Sequence, residues 1–109
     1  MKCDPDKIRQ LFEASLPLFN ALGDPVRQRL IMLMMDGERK SVAELAIQTH
    51  LSRPTVSHHL KILKDADIIT DTKEGTRTYY YPHMGEHFES VKALITAVAE
   101  IEEGERKGE

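Results

Sequence analysis

With 109 residues the chain has room for one domain, and 40% apolar against 30% charged residues is a globular balance rather than a disordered one. Its longest apolar run, Leu30 to Met35, is far short of the ~20 residues a membrane span needs. The first six residues lack the apolar stretch of a secretory signal, and a single cysteine excludes an intrachain disulfide framework or a four-cysteine zinc site, so the expected location is cytoplasmic with no membrane partner. The formal charge of −3 argues against nucleic-acid binding by bulk charge, but the last eleven residues, Ala99 to Glu109, hold five acids against Arg106 and Lys107 and account for the whole imbalance.

Asp4-Pro5 reads as a helix cap followed by a first helical residue, because the aspartate can accept from an unpaired amide and proline has no donor to leave unpaired. Ile8, Leu11, Phe12, Leu16 and Phe19 follow at helical spacing, and Pro17 predicts a break or kink near Ser15-Leu16 with a short second piece to Leu22. Gly23-Asp24-Pro25 stops that piece and starts a second helix with Val26, Leu30, Leu33 and Met34 inward and Gly37 closing it. Ser41-Val42-Ala43-Glu44 is a capping box, opening a short helix with Leu45, Ala46 and Leu51 on its apolar side. Ser52 caps the next helix, which runs to about Ala66 with Val56, Leu60 and Leu63 inward. Two short helices about four residues apart are a helix-turn-helix arrangement.

The hydrophobic period then changes to 2. Ile68 to Lys73 and Thr76 to Tyr81 predict two strands around a Glu74-Gly75 turn, with Pro82 ending the second. From about Met84 a last helix carries Phe88, Val91, Leu94, Ile95, Val98 and Ile101, and Gly104 begins a frayed polar tail. The expected architecture is therefore mainly α with a small β-hairpin, a winged helix-turn-helix over residues 1–103 with a tail at 104–109.

A duplex major groove admits a helix whose side chains read base edges, and the helix from Arg53 to Ala66 is the candidate reader. Arg53, Thr55, Ser57, His58 and Lys61 are the candidate contacts, with no acid on that helix before Asp65; Lys73 and Arg77 at the hairpin tip are placed for the flanking backbone or the minor groove. Lys64 and Lys40 are additional candidate phosphate contacts. His59, about 100° from His58 around the helix, is read as a half-buried packing or hydrogen-bonding residue. His83 and His87 share a face at four-residue spacing but are too few for a metal site, and Met32, Met34 and Met35 are read as core fillers. Of Tyr79, Tyr80 and Tyr81, alternate residues are expected to pack on the core and the last helix. Cys3, without a nearby cation other than Lys2, is a poor sensor.

Four stretches, Leu22-Gly-Asp-Pro-Val-Arg27, Ser41-Val-Ala-Glu-Leu-Ala46, Thr55-Val-Ser-His-His-Leu-Lys-Ile-Leu63 and Gly75-Thr-Arg-Thr-Tyr-Tyr-Tyr81, together resemble the ArsR/SmtB group of bacterial transcriptional repressors over about residues 8–100. The resemblance implies a homodimer through the first and last helices, binding to a double-stranded DNA operator with inverted half-sites, repression, and release by an inducer. The expected dimer residues are Leu11, Phe12, Phe88, Val91, Leu94, Ile95 and Val98. One family metal site lies in a Glu-Leu-Cys-x-Cys run, where this chain has Glu44-Leu45-Ala46-Ile47-Gln48. A second draws on positions near Met84, Glu86, Ala97 and Glu100, which cannot assemble a usual zinc site. No typical family metal and no cofactor is expected, and the inducer is unnamed. The alternative is a winged helix that binds only protein. An enzyme is not expected, since neither a nucleophile–base constellation nor a glycine-rich phosphate loop is evident.

Overall fold

The computed structural model describes residues 4–108, with side chains through residue 105; Cys3 and Lys2 lie outside the described residues. Helix α1 spans Pro5–Leu22, its first turn capped by Asp4, whose carboxylate accepts from the Asp6 amide. The break expected at Pro17 does not occur, and α1 continues through it. Proline there removes one backbone bond to the carbonyl four residues earlier, and both Pro17 and Glu13 are exposed, so water can take that carbonyl.

Asp24 caps α2 (Pro25–Leu33) by accepting from the Arg27 amide at 3.1 Å. Ser41 and Glu44 form the reciprocal capping box of α3 (Val42–Thr49), and Ser52 caps α4 (Arg53–Asp65). Between α2 and α3 lies an element the hydrophobic pattern does not announce, the two-residue strand β1 (Lys40–Ser41). It pairs antiparallel with β3 (Arg77–Pro82), which pairs on its other side with β2 (Ile69–Glu74), in sheet order β1-β3-β2. The hairpin turns one residue later than predicted: Glu74 stands opposite Arg77, leaving Gly75-Thr76 as the turn. Gly75 has φ 63°, so the turn forms where glycine can supply the left-handed backbone.

Helix α5 (Glu86–Gly108) runs on through Gly104, where the sequence predicts a frayed end. Its start is set against the α4–β2 turn: the Gly85 amide donates to the Asp67 carbonyl, and a Cβ at residue 85 would come within 2.3 Å of the Asp67 side chain. α5 packs along α1, and the chain measures 58 × 22 × 22 Å with a radius of gyration of 17.5 Å. A compact domain of this length has about 13 Å. The two long helices therefore project from the remainder of the fold instead of being wrapped by it.

The core gathers Leu18 and Ala21 from α1, Leu30 from α2 with Met34 just after it, Leu45 from α3, Val56, Leu60 and Leu63 from α4, and Ile68 and Ile69 at the start of the hairpin. Met34 is the core filler expected of it. Met32 and Met35, on the other side of the same turn, are exposed. Replacing Leu60, which has no solvent exposure, by Ala removes a branched three-carbon group from this core. Leu60→Ala should lower unfolding free energy by about 2–5 kcal/mol in urea titration.

Hydrogen bonding at Ser41, foremost from its amide, holds the Glu44 carboxyl below the usual glutamate range, with Lys40 and Arg77 adding favourable charge. A group whose folded-state pKa is depressed contributes its stability above the unfolded value, about 4.3, and loses it as the pH falls through the folded value. Glu44→Gln should therefore flatten part of the fall in stability as the pH drops below the unfolded glutamate value of about 4.3. The Asp36 carboxyl, lowered by the Lys40 ammonium, leaves the rest of that fall in place.

Candidate nucleic-acid interface

Val56, Leu60 and Leu63 have no solvent exposure, and they seat α4 so that its opposite side faces outward. Thr55, Ser57, His58 and Lys61 are exposed on the other sides of the helix, and Arg53, in line with Leu60, is exposed in the first turn. At the start of the helix the Ser52 hydroxyl donates to the Thr55 hydroxyl at 2.9 Å and accepts from the Thr55 amide. Thr55 Oγ1 thus already accepts one bond and retains its own hydrogen to donate. No acidic residue occupies the first turn, so the positive end of the helix dipole and the Arg53 guanidinium act together. The first acid is Asp65, which takes the Lys61 ammonium at 3.0 Å. Both groups of that pair are exposed, and such pairs hold weakly enough to exchange for another anion.

Lys73 and Arg77 flank the hairpin turn and are exposed, as the sequence places them. A third cation, Arg39, joins them there: it ion-pairs with Glu74 and lies 5.2 Å from the Tyr79 ring centre. Its signal in the sequence was only its proximity to β1, and β1 itself is too short to show a period. The other lysines are less available. Lys40 is buried to 7% exposure and donates to Asp36 at 2.6 Å, which raises its pKa, so it cannot serve the phosphate role considered for it. Lys64 donates to Asp71 on β2 at 3.0 Å, with its pKa likewise raised.

The histidines separate as their helical positions dictate. His58 is exposed. His59 is half-buried, with its Nδ1 3.3 Å from the Arg27 guanidinium. His50 ends α3 in a left-handed backbone conformation with φ 60° and is exposed. His87 is bound to α1 through Nδ1, 3.1 Å from the Ala14 carbonyl, while His83 is exposed. Among the described residues no group of three or more His, Cys, Asp or Glu is gathered to hold a metal ion. Of the tyrosines, Tyr80 packs against the core, Tyr79 lies beside Arg39 and Tyr81 is exposed.

A second surface lies on the two long helices. Phe12, Leu16 and Phe19 on α1 and Ile95, Val98 and Ile101 on α5 are exposed, Ile95 most of all at 63%. Leu11 is half-buried and lines a groove of about 980 Å³ with Ile8, Ala93, Ala97 and Ile101. Leu94 departs from the expected contact set: it is 5% exposed, covered by its own chain, and Phe88 and Val91 pack against the core. At 3.6 residues per turn one apolar stripe cannot present all its members outward, and the part turned inward is used within the chain. Leu16 and Phe19, which the sequence places in the apolar spacing of the first helix, add to the exposed area.

Among the described residues no helix is long and apolar enough to cross a membrane. The family model for bacterial regulatory protein, arsR family, matches residues 24–71, from the α2 cap through α3 and α4 into β2. An uncharacterised HTH-type transcriptional regulator of Methanocaldococcus jannaschii is 37% identical over 70 residues, which are 64% of this chain and 79% of that protein. The transcriptional repressor SdpR of Bacillus subtilis is 36% identical over 63 residues, 58% of this chain and 69% of its own length. A solved structure from Mycobacterium bovis superposes with a TM-score of 0.66 at 27% identity, covering 92% of this chain and 91% of that one. It is described as the homodimeric winged helix-turn-helix DNA-binding domain of a possible ArsR-family transcriptional regulator.

Proposed function

The chain belongs to the ArsR family of bacterial regulatory proteins, transcriptional regulators rather than enzymes, and from that premise we propose that it is a cytoplasmic homodimeric repressor of a pseudo-palindromic operator. The observation that carries the reading is the exposed surface of α4, where Arg53, Thr55, Ser57, His58 and Lys61 stand on a helix anchored by its apolar ridge, with no acid before Asp65, the exposed partner of Lys61. In this reading α4 enters the major groove and its side chains meet base edges, while Lys73 and Arg77 bind the flanking backbone or the minor groove. Binding then depends on where cations stand and not on net charge, which is negative.

The homodimer is supported by the exposed apolar residues of α1 and α5, by the elongated shape, and by the homodimeric state described for the M. bovis relative. Phe12, Ile95 and Val98 form its centre, joined by Leu16, Phe19 and the Leu11 groove. Phe88, Val91 and Leu94 support the two helices from inside each protomer. The inducer is not a typical family metal in this reading, because Ala46 and Gln48 occupy the cysteine positions of one family site and Met84, Glu86, Ala97 and Glu100 lie near those of the other.

Selection of bound duplexes from a random pool is the direct test. Enrichment of inverted half-sites roughly one helical turn apart is expected, and recovery of no enriched sequence would sink the reading in favour of a protein-binding winged helix. On the selected operator, Arg77→Ala should weaken binding to many sequences alike and reduce the slope of log affinity against log salt by about 0.9 per protomer. Arg53→Ala should alter preference at particular base positions. Ile95→Asp combined with Val98→Asp should yield monomers in sedimentation and remove operator binding with the domain still folded by circular dichroism. A persistent dimer would show that the partner seats elsewhere.

A further inference from the structure

Arg27 stands where three helices meet. Its Nε donates to the Ala21 carbonyl at 2.8 Å, one terminal nitrogen donates to the Asn20 carbonyl at 3.1 Å, and the other lies 3.3 Å from Nδ1 of His59. The first two acceptors are among the last carbonyls of α1; the Asn20 carbonyl also takes the Gly23 amide at 3.3 Å, and Gln28 covers a third by donating to the Leu22 carbonyl at 2.6 Å. A guanidinium has no lone pair to offer, so His59 Nδ1 accepts and the ring proton sits on Nε2. Asp24 joins the group through Oδ2, which accepts the Arg27 amide. His59 is on α4, next to the exposed His58, with its side chain only 15% exposed.

We infer that Arg27 and His59 are positioning residues for DNA reading, tying the orientation of α4 to the end of α1. The inference rests on the DNA-binding reading above. Neither residue touches DNA in this arrangement. α1 carries Phe12, Leu16 and Phe19 of the surface proposed for the dimer, and α4 carries the proposed reading side chains. A rigid link between them sets how far apart, and at what angle, two copies of α4 stand in a dimer. The apolar ridge holds α4 against the core but is non-directional, whereas a forked guanidinium bonded to three acceptors has one geometry.

The test uses the operator selected from the random pool, and a second duplex with its half-sites moved one base pair further apart. Wild type should bind the altered duplex at least tenfold more weakly. His59→Leu, which keeps bulk and removes the acceptor, should lower affinity for the selected operator about tenfold, the scale of a lost hydrogen bond to a charged group. It should also shrink the spacing penalty to about a third, an effect that loss of a charged-group bond at a junction permits and loss of stability alone does not. The salt slope should stay at the wild-type value, and His59→Asn, which restores an acceptor near the Nδ1 position, should recover most of both losses. Arg27→Lys keeps the charge but cannot span three acceptors, and it should shrink the penalty as His59→Leu does; if the leucine variant does not fold, this variant decides the matter. A wild-type protein indifferent to spacing, variants with the wild-type penalty, or a salt slope reduced by about 0.9 per protomer in His59→Leu would each overturn the inference. A wild type that binds no duplex defeats the DNA reading itself, whereas a wild type that binds beside indistinguishable variants defeats only the link.

Discussion

The contact between the apolar ridge of α4 and the core decides what the other side of that helix can do. Val56, Leu60 and Leu63 recur at spacings of four and three residues, so they line one side of a 3.6-residue helix, and their complete burial removes any freedom to rotate about the axis. Rotating α4 by even one residue, about 100°, would bring Ser57 or Lys61 toward Leu18, Leu30 and Leu45. Burying an unpaired polar or charged group costs several kcal/mol, more than a surface contact returns. The outward presentation of Thr55, Ser57, His58 and Lys61 is thus a consequence of packing on the inside.

Charge is arranged on the same logic. The chain has more acids than bases, and several of its cations are paired within the fold. The pairs differ in what they leave available. Lys40 is enclosed beside Asp36, and its role is to let β1 lie against β3 with its stem covered. Lys61 and Asp65 meet in water, where the pair contributes little and a phosphate can displace the carboxylate. Arg53, Lys73 and Arg77 are exposed, the first at the beginning of α4 and the other two beside the hairpin turn. Local geometry thus offers an anion exposed cations on a chain whose net charge is negative.

Most of the order of elements was readable because local rules and tertiary needs agree. Asp4, Asp24, Ser41 and Ser52 cap where a helix must begin, and each is seen accepting an amide near its own position. Where the reading failed, a local rule met a neighbour that it could not anticipate. Pro17 sits on the exposed side of α1, so its lost bond costs too little to break a helix held by packing against α5. β1 is two residues long and exists only because β3 has a free edge beside it. The hairpin turn moved to Gly75-Thr76, which gives Glu74 a cross-strand partner in Arg77. α5 extends past Gly104 although glycine weakens a helix there.

Caps, apolar periods and the acid-free stretch from Arg53 to Lys64 are properties of neighbours in the chain, and they determined by themselves which segments become helices and which of them carries the candidate reading side. Residues that meet through space were decided only by tertiary structure: Arg27 with His59 and the end of α1, Arg39 with Glu74 and Tyr79, and the division of the α5 stripe into Leu94 inside and Ile95 outside. The reason is that a helical period specifies an angle around one axis, while a contact needs the distance and direction between two. That relation is set when all the ridges are packed at once.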